Sequence, residues 1–140
     1  GLALPASAAV AAPEELAAAA SLLVVGDPPV GYARVELVDG TAHLEQLSVV
    51  ADEVGHGLGS ALLEAACAWA VRQGHEAMTL TTYRDVPWNG PFYARRGFVE
   101  IDAAGALAAV REHERELGLD ELGPRVVMRR DLRAHPPRAV

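Results

Sequence analysis

Between Val54 and Ala66 the sequence reads VGHGLGSALLEAA, in which Gly55, Gly57 and Gly59 crowd together and then give way to good helix formers. A helix N-terminus presents unpaired N–H groups and about half a positive charge. Side chains at the entry turn would keep a ligand away from those groups, and glycines leave the approach bare. The turn Gly55-His56-Gly57-Leu58-Gly59-Ser60 is therefore suited to holding a phosphate or pyrophosphate, although glycines that merely ease a strand-to-helix turn would look the same. A nucleotide P-loop would need Lys-Ser or Lys-Thr after the last glycine, and the chain has no lysine. A dinucleotide-binding turn would need Gly-x-Gly-x-x-Gly after a first strand and an acid about 20 residues on. Here the spacing is Gly-x-Gly-x-Gly, and Thr79-Leu-Thr-Thr82 occupies the place where that acid would fall.

The elements that must position this turn alternate between strand and helix patterns. Residues 13–20 open like a helix, with Pro13 in the first turn and acids near the positive end of the dipole. Ser21 to Val25 reads as a strand, ended by Gly26-Asp-Pro-Pro. Val30 to Val38 and Thr41 to Val50 flank Asp39-Gly40, whose tolerance of positive φ predicts an antiparallel hairpin feeding the glycine turn. Leu58, Leu62, Ala65 and Trp69 then mark one stripe of an amphipathic helix that stops near Gly74. Ala77 to Tyr83 is a strand, and strand, turn, helix and strand make a βαβ unit with parallel strands. A loop with Pro87 and Pro91 leads to a short helix, Phe92 to Arg96, stopped by Gly97. A strand over Phe98 to Ile101, a charged helix over 106–117 and a last strand over Arg125 to Leu132 precede a polar tail.

Composition narrows the function classes. A chain of 140 residues makes one domain. A net charge of −7 repels phosphate backbones, which argues against nucleic acid and favours a cationic substrate. The single cysteine, Cys67, sits in an apolar helical context and gives neither an internal disulfide nor a metal cluster. No apolar run reaches the length of a membrane span and the Ala-rich start lacks a basic n-region, so the expectation is a soluble cytoplasmic protein. All twelve Lys-plus-Arg positions are arginine, a bias expected of a GC-rich bacterial genome.

The run His43-Leu-Glu-Gln-Leu-Ser-Val49 leading into Gly55–Ser60, with Phe92-Tyr-Ala-Arg-Arg-Gly-Phe98 downstream, resembles the GNAT superfamily of acetyl-CoA-dependent N-acetyltransferases. The likeness runs from about Val24 to Leu132, and Asp85-Val-Pro-Trp-Asn-Gly-Pro-Phe-Tyr93 looks like a common bacterial subgroup. It implies an α/β (α+β) fold, with helices flanking a central mixed, mostly antiparallel sheet. It also implies that the strands ending at Val49 and near Thr82 splay apart to leave a slot for the pantetheine arm. One domain would span 1–133, with 134–140 as the tail. By the same resemblance the backbone of Leu47, Ser48 and Val49 would contact acetyl and pantetheine. Gly55, His56, Gly57, Leu58, Gly59 and Ser60 would bind the pyrophosphate, and Tyr93 would face the sulfur as general acid; no metal is implied. Three features depart from the family's pattern. Val54 stands where Gln or Arg is usual, and Val86 replaces a frequent asparagine, with Asn89 three residues later as a cofactor contact. The family also places a strand and a helix ahead of the segment that opens this chain, which implies an N-terminally incomplete domain.

Transfer to an amine needs a neutral nucleophile, a polarised carbonyl and a proton for the departing thiolate. The Val49 N–H is the expected polariser, because a diverging strand leaves donors unpaired. Period-two alternation puts His43, Glu45, Leu47 and Val49 on one face and Gln46 and Ser48 on the other, which makes Glu45 a candidate base acting through water, with His43 beside it. Glu36, Tyr83 and water alone are further candidates, and His56 occupies a variable loop position. Arg84-Asp85 and Trp88 lie on a loop that could reach the acceptor or the adenine. The expected activity is direct acetyl transfer to a primary amine in a ternary complex; the other reading is a CoA-binding or structural module that has lost catalysis. A polyamine, an amino sugar, an amino acid and a protein N-terminus all remain open as acceptor. The oligomeric state is open too, with a homodimer through an exposed sheet edge as one arrangement.

Overall fold

A computed structural model of the chain describes residues 21–26, 29–50 and 57–138. The helix expected over 13–20 and the Val54, Gly55 and His56 part of the glycine turn lie outside the described residues. One sheet carries the fold. Its strands are β1 (Ser21–Val25), β2 (Gly31–Val38), β3 (Thr41–Val49), β4 (Ala77–Tyr83), β5 (Phe98–Ile101) and β6 (Arg125–Asp131), in the order β1-β2-β3-β4-β6-β5. Only β3 and β4 run parallel, as the βαβ reading requires. The β2–β3 hairpin turns on Asp39 (φ 51°) and Gly40 (φ 73°), the doubly positive pair that follows the twist of the flanking strands.

Helix α1 (Leu58–Arg72) crosses from β3 to β4. It ends as anticipated at Gly74 (φ 88°), where the His75 N–H reaches Ala70 O and the Gly74 N–H reaches Val71 O, a Schellman closure. The stripe that faces the sheet is not the one centred on Leu58, Ala65 and Trp69. Gly59, Leu62, Leu63, Glu64, Ala66, Cys67 and Ala70 are the buried set. The helix is apolar over most of its circumference, so leucine spacing marks the rim while small residues permit close approach to the strands.

Helix α2 (Gly90–Ala94) starts and stops two residues earlier than expected. Gly90 is required there, since a Cβ would lie 2.4 Å from the Arg84 carbonyl oxygen. Helix α3 (Ala106–Glu116) is capped from a distance, its Ala106 N–H donating to Asp39 Oδ2 at 2.9 Å. A 3₁₀ turn over Leu119–Leu122, which the sequence did not signal, joins α3 to β6. The core packs between the sheet and α1 with α2, through Val35, Leu44, Leu47, Leu63, Leu80, Phe92 and Phe98. On the opposite face α3 is held by polar contacts: Glu114 accepts from Thr81, Arg111 and Arg125, and Arg111 also reaches Asp120. β6 ends at Asp131, and the tail beyond it is docked rather than free. Arg130 donates to the carbonyl oxygens of His135 and Pro136, and the Arg138 N–H donates to Glu64.

Two irregularities in β3 shape the site. Arg34 pairs with Gln46 but Val35 pairs with Leu44, so Glu45 is the extra residue of a β-bulge. That bulge overturns the simple alternation: Leu44, Leu47 and Val49 all belong to the core beneath α1, whereas His43 reaches Thr79 on the other face. Glu45 therefore does not share a face with Leu47 and Val49. The second irregularity is divergence. β3 and β4 pair only at Ala42–Met78 and His43–Thr79, although the strands continue to Val49 and Tyr83.

Candidate active site

The gap between β3 and β4 opens beyond His43. In the hairpin the Val50 N–H donates to Val30 O at 2.8 Å, so ladder alternation turns the N–H groups of Val49 and Leu47 away from β2 and toward the gap. Ser48 is buried, and its hydroxyl and the buried hydroxyl of its cross-strand neighbour Tyr32 find no hydrogen-bond partner among the described residues.

At the start of α1, Gly57 takes a left-handed conformation (φ 77°) as the N-cap, with no side-chain cap. Among the described residues a Cβ placed there would meet nothing within 4 Å, and the unpaired N–H groups of a helix's first turn are the kind that receive an anion. Ser60 closes that turn, and its Oγ accepts from Arg96 Nε at 3.1 Å. Arg96 also donates to Phe92 O and lies 3.7 Å over the Phe92 ring, tying α2 to the start of α1. Gly57, Leu58, Gly59 and Ser60 thus stand together at the helix mouth.

Tyr93 is 4% exposed and sits edge-on to Phe92 and Phe98, at ring distances of 5.1 and 5.5 Å. Burial pushes its phenol well above the usual tyrosine range, so it carries its proton at neutral pH. Asn89 is buried where α2 begins, and its side chain makes no capping bond.

Glu45 lies on the bulge with its side chain 34% exposed, 3.5 Å from Arg34 Nη2 and 3.7 Å from His43 Nε2. Burial and then the neighbouring Glu36 raise its pKa to about 7, against the opposing pull of Arg34. His43 is buried, its Nδ1 2.8 Å from Thr79 Oγ1, and desolvation lowers it to about 4. At neutral pH His43 is therefore uncharged, and its contact with Glu45 is not an ion pair. Tyr83 is committed elsewhere: its hydroxyl donates to Leu119 O at 2.9 Å and Arg125 lies over its ring. Arg84 and Asp85 pair with each other at the surface, and Trp88 is largely exposed nearby.

Burial pushes the Cys67 thiol up to about 12, which leaves it inert. Among the described residues no group of three or more His, Cys, Asp and Glu converges, and no helix is long and apolar enough to cross a membrane. Sequence reasoning missed the Glu64–Arg130 ion pair, buried between α1 and β6 at 2.8 Å. An acid within the apolar run of α1 was the available signal.

Comparison with known proteins bears on this geometry. The sequence model of the acetyltransferase (GNAT) family matches residues 7–98. Among solved structures the chain is similar to PaiA N-acetyltransferase from Thermoplasma acidophilum in complex with coenzyme A, with a TM-score of 0.56 and 18% identity over 76% of this chain and 57% of that one. It is similar to a GNAT-family acetyltransferase from Staphylococcus aureus Mu50, with a TM-score of 0.55 and 19% identity over 74% of this chain and 60% of that one. It also resembles N-acetylglutamate synthase from Neisseria gonorrhoeae complexed with coenzyme A and N-acetyl-glutamate, with a TM-score of 0.59 and 20% identity over 74% of this chain and 23% of that one. The chain thus spans less than two thirds of the length of each of these proteins, and the likeness at this identity is one of fold.

Proposed function

This chain belongs to the acetyltransferase (GNAT) family, and on that footing we propose that it transfers the acetyl group of acetyl-CoA directly to a primary amine in a ternary complex. The observation that carries the reading is the β3–β4 gap, which opens after two paired positions, Ala42–Met78 and His43–Thr79, and onto which the Val49 N–H is turned. Bound acetyl-CoA supplies an acyl group activated as a thioester. Gly55, His56, Gly57, Leu58, Gly59 and Ser60 hold its pyrophosphate through backbone N–H groups, and the backbone of Leu47, Ser48 and Val49 aligns the arm. The Val49 N–H polarises the acyl carbonyl. Tyr93 gives its proton to the departing sulfur, and Asn89 steadies the arm beside α2. Glu45 takes a proton from the acceptor ammonium through water, so that a neutral amine attacks.

A net charge of −7 favours a cationic acceptor and disfavours nucleic acid. The base assignment has a two-sided test. A carboxyl poised at about 7 gives an acetylation rate that rises with pH through that value. Glu45→Gln should remove this limb and lower turnover by on the order of 10²-fold. Stability should move the other way. The folded pKa lies above the unfolded one, so Glu45 costs the fold nothing below about 4.5 and its full penalty above about 7. Glu45→Gln should therefore raise the melting temperature more at pH 8 than at pH 5. A variant that keeps both the pH limb and most of its turnover removes Glu45 from the mechanism.

A further inference from the structure

The sheet face opposite α1 carries its own polar groups beside the β3–β4 gap. Ala33, Leu47 and Val49 belong to the core, so alternation puts Tyr32, Arg34, Gln46 and Ser48 on that opposite face. Arg34 lies there between two acids, with Nε 3.8 Å from Glu36 and Nη2 3.5 Å from Glu45. From beyond β4, Glu114 of α3 meets Arg125 of β6 at 3.1 Å, and both of these charges are felt at Glu45. Arg111 and Asp120 pair at 2.6 Å and cancel, and His43 is uncharged at neutral pH. Around Glu45, three carboxylates therefore face two guanidinium groups.

The set is short of one positive charge, and this sequence holds no further arginine or lysine to supply it. All twelve of its arginines lie among the described residues, and it has no lysine. A ligand bearing a single ammonium balances the set and draws Glu45 into its ionised form. A polycation would overshoot, and a zwitterion would bring a fourth carboxylate among the three. The hydroxyls of Ser48 and Tyr32 set a second requirement. Ser48 is 5% exposed, and neither hydroxyl finds a partner among the described residues. They pair across β2 and β3, two residues along from Arg34 and Gln46, a distance of roughly 7 Å. A buried hydroxyl left unpaired is unfavourable, and a ligand oxygen relieves it.

We propose that this face selects an acceptor with one ammonium group and neighbouring hydroxyls, the chemistry of an amino sugar, with Tyr32 and Ser48 as its specificity-determining side chains. The proposal rests on the acetyl-transfer reading above and narrows its acceptor. The ammonium lies against Glu45, and the hydroxyls of the same molecule pair with Ser48 Oγ and the Tyr32 hydroxyl. The ammonium gives one proton through water to Glu45, and its nitrogen then bonds the acetyl carbon. The C–S bond breaks, the sulfur takes the Tyr93 proton, and the proton leaving the new amide nitrogen restores Tyr93. Glu45 releases its proton to solvent.

Acetylation kinetics on the full chain test the proposal with four probes: glucosamine, cyclohexylamine, spermidine and glycine. Cyclohexylamine keeps the six-membered ring and the single charge but has no hydroxyl. Wild type should use glucosamine with a kcat/KM at least about tenfold above each of the others. Amines differ in basicity, so the decisive quantity is how the glucosamine-to-cyclohexylamine ratio changes with the protein. Tyr32→Phe and Ser48→Ala, each checked for folding by a melting curve, should each lower that ratio at least about fivefold. A ratio unchanged in both variants, or a wild type that prefers spermidine or glycine, overturns the selectivity and leaves acetyl transfer to amines standing. Bound acetyl-CoA with no thiol release prompted by any of the four overturns both.

Discussion

Tyr93→Phe should leave acetyl-CoA affinity nearly unchanged while turnover falls by roughly 10²- to 10⁴-fold, the range for a positioned general acid. The ring packs between Phe92 and Phe98, and phenylalanine preserves those edge contacts and the burial behind them. What disappears is a phenol whose proton is firmly held at neutral pH. The interaction develops only as the thiolate departs, so the Michaelis constant for the acceptor should move little. With Tyr93 4% exposed, a substituting water has little room, which favours the larger losses. The measurement is a pre-steady-state or chemistry-limited turnover number, with a melting curve to confirm folding. Retention of more than about half of wild-type turnover would make Tyr93 a packing residue and send the proton in from solvent.

Gly57→Glu should abolish measurable acetyl-CoA binding without unfolding the protein. Gly57 caps α1 in the left-handed region, where any side chain costs about 1–2 kcal/mol. No described residue lies within 4 Å of where its Cβ would stand, so no clash with them adds to that cost. Gly57→Ala therefore reports the backbone cost alone, and the glutamate adds a carboxylate where the pyrophosphate must lie. At about 4 Å and an effective dielectric near 20, each pair of like charges costs about 4 kcal/mol, before salt screening reduces it. The expected loss is on the order of 10²- to 10³-fold beyond that of Gly57→Ala. Calorimetry with circular dichroism decides the matter: unchanged affinity in a folded Gly57→Glu variant would leave the glycines as a turn and nothing more.

The local signals in the sequence were sufficient wherever one residue type dictates one conformation. Asp39-Gly40 specified the hairpin, Gly74 the end of α1 and the βαβ order the parallel pair, because each depends on backbone preferences or chain connectivity. Tertiary fit wrote the remainder. The bulge at Glu45 carries no glycine or proline to announce it, yet it moves Glu45 off the face of Leu47 and Val49. The early start of α2 depends on how closely Gly90 approaches Arg84, a contact between residues that share no pattern. Glu64 and Arg130 lie 66 positions apart and make sense only as a pair, and α3 is held on the sheet by arginines and acids that periodicity assigns to solvent. The glycine turn at the start of α1, the divergence of β3 from β4 and the place of Tyr93 on the short helix α2 were legible as motif. The electrostatic setting of Glu45 and the commitment of Tyr83 to Leu119 were not, since each is a sum over neighbours from several elements.

Release of free CoA thiol from acetyl-CoA, followed across a panel of polyamines, amino sugars, amino acids and peptide N-termini, tests acetyl transfer most directly. At least one amine should accelerate thiol release and emerge acetylated on nitrogen in equal amount, with intersecting initial-rate lines that mark a ternary complex. Tight acetyl-CoA binding with no amine-dependent thiol release anywhere in the panel would contradict the account and leave a CoA-binding module in its place.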